Sequence, residues 1–101
     1  MAKTIKTEAV DDFFDAIMSL KSKDEFYEFF EDICTVNEVL SIAERFEVAK
    51  LLKQGKTYVE IAAKTGASTA TISRVNRSVG YGNGSYEYIF ERLGIRAEDA
   101  E

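Results

Sequence analysis

Between Thr57 and Arg77 the chain reads TYVEIAAKTGASTATISRVNR, two short amphipathic segments hinged on a single glycine. No other stretch restricts the fold so tightly. Thr57 is placed to cap a helix over 58–65, and Glu60, three residues on, completes a capping box. Gly66 supplies the positive φ that a sharp turn between two helices needs. Ser68 caps a second helix over 69–78. Ile61, Ala67, Ile72 and Val75 are apolar where crossed helices must interlock, and Ala62 is small where the second helix passes close. This is the sequence logic of a helix-turn-helix over 57–78. It is a far sharper signal than a lone glycine or one amphipathic helix.

The chemistry of the second helix follows from its open side, which offers Thr69, Ala70, Ser73, Arg74 and Arg77, with Thr71 beside them. Hydroxyls donate to or accept from base edges, Ala70 and the threonine methyls suit a thymine methyl, and an arginine forks onto guanine. Free amides near Tyr58 and Thr69, at the two helix starts with Ser68 as the second cap, suit phosphate oxygens. Lys50, Lys53, Lys56, Lys64 and Arg77 supply positive charge for a nucleic-acid backbone. Charge distribution agrees. The chain has a net charge of -5, yet residues 49–82 hold six basic side chains and one acidic, whereas residues 1–48 hold five basic and twelve acidic. An acidic protein with a basic central third binds a polyanion through that third, and its acidic remainder limits indiscriminate binding.

The remaining signals are nearly all helical. Thr7 precedes an apolar stripe of Val10, Phe13, Phe14, Ile17 and Leu20, a helix over 8–20. Ser22 and Glu25 form a capping box before Phe26, Phe29, Phe30 and Ile33. Thr35 with Glu38 and Ser41 with Glu44 repeat the box letters, which allows either one helix over 36–54 or a short one followed by a longer one. That region buries Phe46, Ala49 and Leu52 and is stopped by Gly55. After a glycine-rich break, Ser85 caps a last helix over 86–93 whose stripe is Tyr86, Ile89, Phe90 and Leu93; Gly94 ends it. The tail, 96–101, reads as disordered. The whole 101 residues suit a single domain.

Five of the seven phenylalanines fall in the first thirty residues. Two short helices cannot bury that much ring area against each other, and a partner chain accounts for the excess better than internal packing does. A single helix-turn-helix contacts only a few base pairs, so useful specificity calls for two half-sites. Both arguments point to a homodimer on double-stranded DNA.

Several function classes drop out. There is no histidine and one cysteine, so neither an imidazole-based triad nor a conventional zinc site can be built, and no metal or catalytic residue is assigned. Cys34 reads as a core residue in a reducing compartment. Acidic residues at 11, 12, 15, 24, 25, 28, 31 and 32 occupy open helix faces and read as a solvated surface rather than acid–base machinery. Apolar runs are too short for a membrane span, and the N-terminus lacks the apolar core of a secretory signal, so a cytoplasmic location and no membrane partner are expected.

The segment Gly66–Arg74, GASTATISR, and Arg45 followed by Ala49, Leu52 and Gly55 resemble the Trp repressor family, and within it the Trp-repressor-like YerC/YecD group of Gram-positive bacteria. The resemblance runs from about Phe26 to Gly82. It implies an all-α, intertwined helical dimer with a helix-turn-helix in each subunit, the N-terminal helices and last helix wrapping the partner. It also implies ligand-pocket positions at Thr35, Arg45, Arg74 and Ser78, where two arginines hold the carboxylate of an aromatic amino-acid corepressor. The family carries a glycine immediately after the second arginine; here that residue is Val75, whose branched side chain fills space the ring needs. No cofactor is therefore expected, the corepressor being the disfavoured alternative. The expected function is a sequence-specific DNA-binding transcriptional regulator, acting as a repressor, and not an enzyme. The alternative is a protein-interaction module of the transcription machinery that keeps the helix-turn-helix as scaffold.

Overall fold

The computed structural model describes residues 3–97. Six helices follow one another among them: α1 (Glu8–Met18), α2 (Lys23–Ile33), α3 (Val36–Lys53), α4 (Tyr58–Thr65), α5 (Thr69–Tyr81) and α6 (Ser85–Leu93). The all-α expectation holds for these residues. Of the tail expected to be disordered, 96–101, all but residues 96 and 97 lies outside the described residues. The chain divides into two compact units, Met1–Val36 and Asn37–Glu101.

In the first unit Thr7 caps α1 by accepting the Val10 amide, and Ser22 caps α2 by accepting that of Glu25. The second half of the Ser22 box is displaced by one residue: Glu25 Oε1 accepts the amide of Lys21 rather than of Ser22, at 2.8 Å. The phenylalanines of the two helices gather together. Phe13 lies 6.0 Å from Phe29 and 6.4 Å from Phe30, ring centre to ring centre, and Phe29 meets Phe30 edge-on at 5.8 Å. Even so, neither helix contains a buried residue. Met18 remains 82% exposed and Tyr27 69%.

The second unit holds the core. Val48, Ala49, Leu51, Ile61, Ala67, Ile72, Val75 and Phe90 form one buried cluster drawn from α3, α4, the following turn, α5 and α6. Phe46, Leu52, Ala62, Val79, Tyr86 and Ile95 pack around it, and the rings of Phe46 and Tyr86 each stand 5.8 Å from that of Phe90. Burial on α3 is centred on Val48, Ala49 and Leu51, with Phe46 and Leu52 only half-buried, one residue off the expected stripe. The first half of α3 has no such packing, since Val36, Leu40 and Ile42 are all more than half exposed.

Of the two readings open for 36–54, one continuous helix forms, because no glycine or proline interrupts 36–53 and the Ser41–Glu44 pair lies mid-helix, where no amide is left to cap. Three boundaries differ from expectation. α1 ends at Met18 rather than at residue 20. α5 runs three residues past Ser78 to Tyr81. It stops at Gly82, where any Cβ would collide with the Ser78 carbonyl. Ser85 is inside α6; the cap position is Gly84, in the left-handed conformation with no side-chain cap bond. Both expected stops hold. At Gly55 and again at Gly94 the chain closes with paired bonds, Gly55 N to the Leu52 carbonyl with Lys56 N to that of Leu51, and Gly94 N to Glu91 with Ile95 N to Phe90.

The capping box of α4 forms in full. Thr57 Oγ1 accepts the Glu60 amide at 3.1 Å, and Glu60 Oε1 accepts the Thr57 amide at 2.9 Å. The bond from the Thr57 backbone, with help from its hydroxyl and from the Lys56 charge, holds the Glu60 carboxyl below its ordinary range. A depressed folded value means that the box stabilises α4 fully above the unfolded glutamate pKa of about 4.3 and is lost as pH falls through the lower folded value. In a carbon-detected NMR titration Glu60 should titrate lower in the folded than in the urea-unfolded chain. The stability advantage of wild type over Glu60→Gln should be complete at neutral pH and vanish in acid.

Candidate nucleic-acid interface

The reading unit is built from α4, a turn at Gly66–Ser68, and α5. Gly66 has φ 76°, and its amide closes onto the Ala62 carbonyl. A side chain at that φ strains the backbone, which is why the turn requires glycine. Thr65 braces the turn from inside: its hydroxyl donates to the Ile61 carbonyl at 2.8 Å and accepts the Ala67 amide at 3.1 Å. Ile61 and Ile72 have no exposed surface, and Ala67 and Val75 have 5% and 4%. The four positions expected to interlock are thus the ones buried, and α4 and α5 are fixed relative to each other through them.

With that side of α5 committed to the core, its remaining faces are set. Thr69, Ala70, Ser73, Arg74 and Arg77 are exposed, and Thr71 is half-buried. Ser68 caps α5 by accepting the Thr71 amide at 3.1 Å. The amides of Thr69 and Ala70 precede the first intrahelical bond, as do those of Tyr58 and Val59 on α4, so they are available to an anion. Lys64 is exposed on α4, Tyr58 is 37% exposed at its start, and Lys56 is half-buried just before it. These side chains lie within or beside this one unit, whereas Lys50 and Lys53, also expected to supply positive charge, lie on α3.

The two helix starts differ electrically. Glu60 occupies the first turn of α4, whereas α5 has no acidic residue in its first turn, unlike each of the other five described helices. The positive end of the α5 dipole is therefore left uncompensated. No carboxylate occurs from Ile61 to Tyr86. One lysine leaves the expected positive surface: Lys53 Nζ pairs with Glu87 Oε2 at 3.2 Å and so ties the end of α3 to α6.

The positions implied for a ligand pocket are more scattered in role. Thr35 belongs to the first unit, and Arg45, Arg74 and Ser78 to the second. Arg45 and Arg74 are exposed, and Ser78 Oγ donates to the Arg74 carbonyl at 3.3 Å along α5. Val75 is part of the buried cluster.

Two exposed residues of α5 were missed by sequence reasoning. Asn76 and Tyr81 line a groove of about 460 Å³ together with Ser73, Arg77, Val79 and Gly80. Asn76 stands one helical turn beyond Ser73, a spacing that was available to find it, and asparagine pairs bidentately with adenine. Tyr81, 90% exposed, lies on the last turn of α5, beyond the expected end of that helix at residue 78.

Comparison with known proteins is concordant. Residues 8–94 match the family described as Trp repressor protein. The uncharacterized protein YerC of Bacillus subtilis (strain 168) is 49% identical over 89 residues, 88% of this chain and 86% of its own. A solved TrpR-like protein from Eubacterium eligens ATCC 27750 is 62% identical with a TM-score of 0.89, covering 93% of this chain and 97% of its own. A solved structure from Staphylococcus aureus is 47% identical, also with a TM-score of 0.89, over 96% of this chain and all of its own. The fold is the Trp repressor helical fold, and the family is one of DNA-binding transcription regulators rather than enzymes. The chain belongs to the Trp repressor family, close to its YerC/YecD group.

Proposed function

We propose that the protein is a homodimer that represses transcription by occupying a two-fold symmetric DNA site with a pair of helix-turn-helix units. The observation that carries this reading is the acid-free run from Ile61 to Tyr86, in a chain with 18 carboxylate side chains. Arg74 and Arg77 stand exposed within it, on the one described helix whose first turn holds no acid. Phosphates meet the start of α5 and Lys64, while Thr69, Ala70, Ser73 and the arginines face base edges.

The exposed apolar residues of α1, α2 and the first half of α3 support the dimer. Met18, Tyr27, Ile33, Val36 and Leu40 each leave half or more of their surface uncovered. Burying such side chains against a second copy stabilises by roughly 25 cal/mol per Å² of apolar surface. In this reading the two subunits intertwine, the whole chain is one functional domain with 57–78 as its reading unit, and two half-sites supply the specificity that one unit lacks. No helix among the described residues is long and apolar enough to cross a membrane. DNA binding needs no aromatic corepressor, because Val75, only 4% exposed, is committed to the core beside Arg74.

Selection from a random DNA pool should return a two-fold symmetric sequence, and light scattering at micromolar concentration a dimer mass. A monomer, or a folded dimer that enriches nothing, sinks the proposal. Arg74→Ala and Arg77→Ala should each weaken binding by about 1–3 kcal/mol with circular dichroism and mass unchanged. Free tryptophan should alter neither the melting temperature nor the DNA affinity. A saturable heat of binding on titration with tryptophan would show that the pocket survives Val75.

A further inference from the structure

We infer that the C-terminal end of α5 makes a second DNA contact beyond the base-reading residues: Gly80 lets the flanking phosphate backbone seat against the helix, and the Tyr81 hydroxyl donates to one of its phosphate oxygens. The inference rests on the DNA-binding role proposed above and extends it to two further residues. Gly80 is the observation that carries it. Of the six glycines, Gly55, Gly66, Gly84 and Gly94 have positive φ, and Gly82 has the Ser78 carbonyl against it. In those five the chain's own backbone accounts for the glycine. Gly80 lies inside α5 without positive φ, and beyond its neighbours and the helix backbone a Cβ there would meet nothing within 4 Å. Glycine in a helix is less favourable than alanine, because it has more backbone freedom to lose. Alanine would fit the folded chain and stabilise it, so the missing side chain serves an approach from outside.

That approach lies on the reading face. Ser73, Asn76, Arg77, Gly80 and Tyr81 follow one another at helical spacing, are all exposed, and line the groove of about 460 Å³. From Thr69 to Tyr81 the helix spans about 18 Å. The major groove is about 12 Å wide, and a reading helix meets base edges with its N-terminal residues. The last turn of α5 therefore emerges beside the sugar–phosphate backbone. Tyr81 is 90% exposed, so its ring is not held by packing. A helical side chain leans over the turn before it, which sets Tyr81 towards Arg77 and clear of the carbonyls that end the helix. A phosphate received there meets a phenolic donor with the Arg77 charge nearby, and no carboxylate occurs from Ile61 to Tyr86 to oppose it. An ionised phosphate oxygen only accepts, so the tyrosine is the donor.

The test compares wild type, Gly80→Ala, Tyr81→Phe and the double variant. DNA binding is measured over a range of salt, on the site returned by selection and on its single-base variants. Tyr81→Phe should weaken binding about two- to tenfold per half-site, the value of one hydrogen bond. The loss should be equal on every sequence and leave the salt dependence unchanged, because a neutral donor releases no counterion. Gly80→Ala should bind at least as weakly, yet melt a few degrees higher without DNA. The double variant should bind no worse than Gly80→Ala, since a methyl that holds the phosphate away has already removed the tyrosine contact. Losses that multiply in the double variant, a Tyr81→Phe loss confined to one base pair, or wild-type binding by either single variant overturn the inference. A smaller mass in light scattering or a lower melting temperature for Gly80→Ala does so too, because that face is then a contact within the protein. All of these leave the DNA-binding role intact, whereas a wild-type protein that selects no site removes that role and the inference together.

Discussion

The burial of Ile61 and Ile72 in one cluster with Val48, Leu51 and Phe90 is the contact on which the rest of the molecule depends. It fixes which side of α5 is inside, and therefore which residues are left on its open side. No hydrogen bond between side chains of α4 and α5 is recorded among the described residues; close packing sets their crossing. Packed side chains tolerate little change in volume, so a small cluster suffices to hold a precise angle. The polar groups act locally. Thr57 and Glu60, Thr65, and Ser68 with Thr71 each settle the backbone within a few residues of themselves.

Much of this was legible in the sequence because helix caps and glycine stops are local signals. Thr7, Ser22, Thr57 and Ser68 all cap the helices that they precede, and Gly66 turns the chain between α4 and α5. The buried residues of the helix-turn-helix were legible for a second reason: their spacing repeats with the helix. The open points and differences fall where local letters compete with neighbouring backbone. Ser41 and Glu44 have the letters of a cap, which left a break within 36–54 open, but they sit in an unbroken helix where the amides already have partners. Ser85 has the right chemistry, yet Gly84 takes the cap position with a left-handed backbone. Lys53 looked like a free cation because its partner, Glu87, is 34 residues away in sequence. Tyr81 joins α5 because the helix runs on to Gly82, past its expected end, whereas Asn76 lies within the expected helix and its spacing from Ser73 was passed over.

Charge is partitioned with the same economy. The first 36 residues hold nine acidic and four basic side chains, while the stretch from Ile61 to Tyr86 holds three basic and none acidic. Charge partitioned in this way along the chain favours a polyanion at the basic stretch, and it makes association sensitive to salt. The effect needs no single strong ion pair. The pair between Lys53 and Glu87 is exposed and serves to join helices, and pairs of this kind contribute about 0–1 kcal/mol.

The placement of Phe90 has a mechanical consequence. It is 1% exposed and brings α6 into the same eight-residue cluster as Ile72 and Val75 of the reading helix. A cluster that small has no internal seam along which α4 and α5 could separate from α6. The reading helix therefore has no private stability of its own: it opens when the second unit opens, as one cooperative element of the kind that exchanges its amides together.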